Sequence, residues 1–163
     1  RFLDGYSYTI LKDDEGHRYL YSYVIMYQWG WESVVKKKKY LLDKATDFDK
    51  AKFFGASAQR TYLIYATGSK LYAYDYVAEK VQLLQDFGDQ EITLLHCDLL
   101  VETGAGDDFF YVGTYDPSLP KETGGTLTKY RVVNDPNNII VEKVPGFSWS
   151  GLCKIKSIDL KKN

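Results

Sequence analysis

An all-β chain built from repeated four-stranded antiparallel units is the architecture this sequence predicts, on three observations. The first is composition: 15 Tyr, 8 Phe and 3 Trp stand against a single Met and 4 Pro in 163 residues, and aromatic and β-branched enrichment favours strands over helices. The second is a succession of short apolar runs punctuated by turn residues from end to end. The third is period. Equivalent breaks fall near residues 45, 89 and 148, a repeat of roughly 44 to 59 residues, which is the spacing of β-propeller blades with four short strands each.

The elements follow in order. YSYTILK (6–12) runs into the turn Asp13-Asp14-Glu15-Gly16, and RYLYSYVIMYQ (18–28) runs into Gly30, set between Trp29 and Trp31. ESVVKKKKYLLD (32–43) reads as an outermost strand, because a lysine run on an exposed edge blocks edge-to-edge pairing. The same stretch also places Val34, Lys38, Leu41, Ala45 and Phe48 on a helical face; strand plus linker is preferred. After this break come KAKFFGAS (50–57), TYLIYAT (61–67), LYAYDYV (71–77) and KVQLLQDF (80–87). Beyond Gly88-Asp89-Gln90 lie EITLLHCDLLV (91–101), DDFFYVGTY (107–115), GTLTKYRVV (125–133), NIIVEKV (138–144) and LCKIKSIDLK (152–161). The insertion DPSLPKETGG (116–125) lengthens the later interval. With strands labelled A to D from the centre outward, the chain reads B-C-D, A-B-C-D twice, and a final A. The expected blades cover roughly 1–45, 46–89 and 90–148, with a last inner strand over 150–161.

The densest aromatic stretch, TYLIYATGSKLYAYDY (61–76), carries five tyrosines around Gly68-Ser69. That pair suits a two-residue type II′ turn with Gly at the position of positive φ. The turn fixes the register: Thr67 opposes Lys70, Tyr65 opposes Tyr72, Leu63 opposes Tyr74 and Thr61 opposes Tyr76. One face then carries Leu63, Tyr65, Tyr72, Tyr74 and Tyr76, the other Tyr62, Ile64, Ala66, Leu71, Ala73 and Asp75. Neither face is polar, whereas a hairpin with one wet side alternates cleanly. The rings therefore belong to a sheet covered on both sides, with each hydroxyl reaching a backbone or rim partner.

FFGASAQRTYLIYATGSKLYAYDY, ITLLHCDLL and the ending GLCKIKSIDL together resemble the propeller region of the PKD-like lipoproteins of Bacteroidetes, over about residues 50–161. The resemblance implies an extracytoplasmic, cell-surface parent in which immunoglobulin-like repeats precede the propeller. Its lipid anchor lies outside this chain. It implies no catalytic residues. The opening on Arg1-Phe2, with neither initiator Met nor signal peptide, reads as a fragment. Three blades are too few to close a ring, so two blade faces are expected to seek remaining blades or a second copy.

Chemistry-bearing motifs are sparse. With 21 basic and 22 acidic residues the formal charge is −1, which removes the basic footprint of a nucleic-acid binder. No run approaches the ~20 apolar residues of a membrane span. GxSxG, Walker and HExxH patterns are absent. Glu102-Thr103-Gly104-Ala105-Gly106 has no helix after it to cradle a phosphate. His17 and His96 have no second histidine at ligand spacing, and the acids at 13–15 and 107–108 read as solvated turns, so no metal or cofactor is expected. Cys97 and Cys153 sit in apolar runs and read as buried free thiols. The better candidates are aromatics at turns, where packing does not demand them: Trp29 and Trp31 around Gly30, and Phe147 and Trp149 before Gly151. They point to a non-catalytic segment that binds a glycan or protein partner. The alternatives are a propeller glycoside hydrolase or lyase completed by other blades, and a scaffold with no small-molecule site.

Overall fold

The computed structural model describes residues 4–28, 31–56, 62–98, 108–134 and 139–158. It is all-β. Eleven strands form three antiparallel up-and-down sheets among the described residues. The first contains β1 (Asp4–Lys12), β2 (Arg18–Gln28) and β3 (Trp31–Leu41). The second contains β4 (Phe53–Ala56), β5 (Tyr62–Thr67), β6 (Lys70–Asp75) and β7 (Lys80–Asp86). The third contains β8 (Glu91–Asp98), β9 (Asp108–Tyr115), β10 (Gly125–Asn134) and β11 (Ile139–Leu152). Each sheet is ordered as its strands occur in the chain, so neighbours in sequence are neighbours in space.

The stretch that also fits a helix is a strand. β3 runs to Leu41 at the edge of the first sheet, and a linker with one 3₁₀ turn at Phe48–Lys50 follows. Lys39 of the lysine run lies with its Nζ 3.6 Å from the centre of the Tyr19 ring across the strand pair. The edge placement fits the protective role of that run.

The central hairpin has the register its turn dictates: Thr67 with Lys70, Tyr65 with Tyr72 and Leu63 with Tyr74. Gly68 has φ +59°, as the first central residue of a type II′ turn requires. Thr61 lies outside the described residues. Both faces of this sheet are covered. Leu63, Tyr65, Tyr72, Tyr74 and Tyr76 pack with Leu20 of β2 and with Leu42, Ala45 and Phe48 of the linker. Tyr62, Ile64, Ala66, Leu71 and Ala73 meet Ile92, Leu95, Phe110, Val112, Tyr130 and Val132 of the third sheet. This second interface sets a small face against a bulky one, where Phe110 and Tyr130 stack with centres 5.3 Å apart. Tyr65 donates its hydroxyl proton to the Thr46 carbonyl at 2.8 Å, and Tyr74 to that of Leu41 at 3.3 Å. Burial, joined by neighbouring negative charge, pushes the Tyr65 hydroxyl pKa well above its ordinary value.

Coverage falls off toward the edge strand β7. β5 and β6 are buried almost throughout, yet β7 of the same sheet is largely exposed, with Val81 at 38% and Leu83 at 49%. β7 nonetheless touches the third sheet, where the Gln82 side-chain amide donates to the Ile139 carbonyl at 2.6 Å and accepts the N–H of the same residue at 3.1 Å.

Two expectations need correction. Residues 150–152 close β11, and residues 153–158 pair with no strand, so the inner strand expected over 150–161 does not form in its described part. A strand needs a ladder partner; here the backbone is tied by the Lys154 N–H donating to the Lys121 carbonyl at 2.8 Å. Cys153, expected to be buried, is a free and exposed thiol. The Cys97 side chain lies outside the described residues.

Candidate functional site: an aromatic corner on an edge strand

β11 is 14 residues long, and its pairing with β10 is broken twice. Between Thr128–Ser148 and Tyr130–Lys143, β10 advances two residues while β11 advances five. The surplus, which includes Pro145, Gly146 and Phe147, is pushed out of the ladder as a bulge. Gly146 has φ +78°, which lets the chain turn there. A second irregularity lies between Leu127–Trp149 and Gly125–Leu152, where Gly151 has φ +70°. Proline is tolerated at a bulge on an edge strand, and β11 is an edge.

The bulges decide where the candidate aromatics stand. Phe147 and Trp149 are not at a turn leading into an inner strand, as expected from the sequence; they lie in the second half of β11. The reason is that Leu127 and Thr128 of β10 supply partners for Trp149 and Ser148, and the Thr128 and Ser148 hydroxyls bond at 3.0 Å. Both rings remain exposed, Phe147 at 42% and Trp149 at 43%. Their centres are 5.9 Å apart at 87°, an edge-to-face corner. Trp31 opens β3 opposite Gln28, but its side chain, like all of Trp29, lies outside the described residues. The structure thus brings together two of the four sequence candidates.

Cross-strand pairing adds residues that sequence reasoning missed. Lys129 opposes Tyr111 on β9, and Arg131 opposes both Phe109 on β9 and Glu142 on β11. The Lys129 Nζ lies 4.5 Å from the Phe109 ring centre, 5.1 Å from Phe147 and 5.4 Å from Tyr111. Arg131 donates to the Glu142 carboxylate at 2.9 Å. Beside them opens a cavity of about 470 Å³ lined by Phe109, Arg131, Glu142, Lys143, Val144 and Pro145, within the size range of small-ligand sites. Alternation on β10 was the available signal: Leu127, Lys129 and Arg131 share a face.

The turn acids have structural work. Asp13 accepts from the backbone N–H groups of Glu15 and His17 at 3.1 and 2.8 Å, and Asp75 accepts from those of Val77 and Ala78. A second cavity, of about 460 Å³, lies between the β1–β2 turn and the linker. There His17 Nδ1 and Asp43 Oδ2 are 2.5 Å apart. That hydrogen bond raises the pKa of His17 and lowers that of Asp43. Among the described residues no group of three or more His, Cys, Asp or Glu is placed to hold a metal ion.

No known protein family matches the chain, and a search of curated proteins finds no match.

Proposed function

We propose that the chain is a non-catalytic segment of a β-propeller whose outermost strand offers the Phe147–Trp149 corner to a glycan or a protein partner. The observation that carries the reading is that the bulges of β11 hold two large rings in the open, 42% and 43% exposed, on an otherwise ordered strand. Exposed aromatic side chains fixed by backbone geometry lose little freedom on binding, which suits them to stack on sugar rings or to anchor a protein interface. The propeller part is supported by the meander sheets stacked face to face, with β5 and β6 buried and β7 largely exposed. In this reading the parent protein is extracytoplasmic and held at the cell surface by a lipid anchor outside this chain, as the resemblance over residues 50–161 implies.

A glycan array probed with the chain and with Trp149→Ala tests the reading. Signal for at least one saccharide class, reduced tenfold or more in the variant, is the expected result. Binding that ignores Trp149 would remove the corner from the proposal.

A further inference from the structure

We infer that the ligand at this corner is an acidic saccharide, a glycan bearing carboxylates, and that Lys129 is the residue that meets the carboxylate. The inference rests on the binding reading above and adds the chemical class.

Lys129 differs from the ion-paired cations in what it faces, and shares its setting over aromatic rings with Lys39 of the first sheet. Lys44 pairs with Glu79, Lys50 with Asp47, Lys52 and Lys154 with Glu91, and Arg131 with Glu142. Lys129 pairs with no carboxylate among the described residues; its ammonium is held among the rings of Phe109, Tyr111 and Phe147. Rings attract a cation without neutralising it, so the charge is fixed in position and still available to an anion. Arg131 lies two residues further along the same face of β10, and Lys143 lines the adjoining cavity. Glu142, already engaged by Arg131, is the single carboxylate lining that cavity among the described residues. The local balance is cationic although the chain as a whole carries −1.

The chemistry divides accordingly. The open rings of Phe147 and Trp149 suit the apolar face of a pyranose, and the Arg131–Glu142 pair offers a donor and an acceptor for hydroxyls. Lys129 stands 5.1 Å from the Phe147 ring centre, so a sugar stacked on that ring presents its carboxylate to the ammonium. A neutral saccharide would leave this charge unused.

A further sheet laid on this face would leave the Phe147–Trp149 half of the site open. Lys129 stands on β10, whose counterpart β6 is buried, so the ligand needs this face uncovered over Lys129. The second sheet is covered on both faces, and its edge strand β7 still remains largely exposed. β11 is the corresponding strand of the third sheet.

The test titrates the chain with polygalacturonate and with alginate, and in parallel with the fully methyl-esterified form of polygalacturonate, at low and high salt. The acidic polymers are expected to bind at least tenfold more tightly than the ester, with the advantage shrinking as salt screens the contact. Lys129→Met should bring polygalacturonate down to the level of the ester, while Lys129→Arg keeps most of the preference. An unchanged unfolding midpoint in both variants separates lost charge from lost fold. Equal affinity for acid and ester overturns the inference and leaves the binding reading in place. So does a glycan array positive only for neutral sugars. A preference that survives Lys129→Met also overturns it. A blank array together with no binding to either acidic polymer removes the glycan reading itself.

Discussion

Two antiparallel pairs in this molecule are rich in large aromatics and end up in opposite environments. In β5–β6 the register is regular, and Tyr65 and Tyr74 have no exposed surface. In β10–β11 the register breaks twice, and Phe147 and Trp149 stay more than two-fifths exposed. The difference lies in the backbone. An unbroken two-residue period sends every ring to a face that a neighbouring sheet covers. A bulge on an edge strand releases rings from that period. Aromatic content alone therefore does not decide exposure here; the regularity of pairing does.

The largest effect should come from truncating one ring of each kind. Tyr65→Ala removes a fully buried side chain that also donates to the Thr46 carbonyl, and the loss expected for a buried aromatic is about 3–5 kcal/mol. Trp149→Ala should stay within about 0.5 kcal/mol, the usual range at a surface position. Urea denaturation of both variants decides the matter. A Trp149 variant as unstable as the Tyr65 one would break the comparison, because the corner would then be packing.

A smaller loss should come from the close approach that ends the bulged pair. An added Cβ on Gly125 would lie 2.2 Å from the Cys153 carbonyl oxygen and 2.8 Å from its carbon. Those atoms are backbone and cannot swing aside. Gly125→Ala should cost about 1–3 kcal/mol by overpacking. Gly113→Ala, whose Cβ would meet the Leu94 Cβ at 3.0 Å, should cost less. If the order is reversed in chemical denaturation, residues 152–153 do not hold the end of β11 against β10.

How much of this was legible in the sequence follows from the same contrast. The β5–β6 register could be read residue by residue because Gly68-Ser69 admits one turn and the turn fixes the pairing. Burial on both faces followed from the absence of a polar side. The edge position of Lys36 to Lys39 followed from charge. β11 could not be read this way. Pro145 and Gly146 look like a chain break in sequence, and the structure carries the strand through them as a bulge. Phe147 and Trp149 were found because their residue types stood out, but their setting was not. Lys129 was missed because its partners lie on two other strands, and no local spacing encodes a three-ring cage.

The smallest effect is expected at the polar clasp over the tyrosine face. Leu42, Ala45 and Phe48 of the linker cover that face, and Thr46 accepts from Tyr65. The linker is tied to the β1–β2 turn through Asp43, which bonds to His17 Nδ1 and accepts the Arg18 N–H at 3.3 Å. The His17 pKa is raised above 6.5, by the Asp43 hydrogen bond first and its charge second, with Asp13 and Glu15 adding to it. Its stabilisation is therefore complete below 6.5 and lost as pH rises through the folded-state value. The Asp43 pKa is lowered below 3.8, so its share is present above 3.8 and lost as pH falls through its folded-state value. The clasp should hold best between these limits. The difference in melting temperature between the chain and Asp43→Asn should be larger at about pH 5.5 than above the folded-state pKa of His17, where the ring has lost its proton. The pair is solvent-exposed, so this difference should be the least of the three and should shrink with added salt. A difference absent at both pH values would mean that the linker is held by its apolar contacts alone.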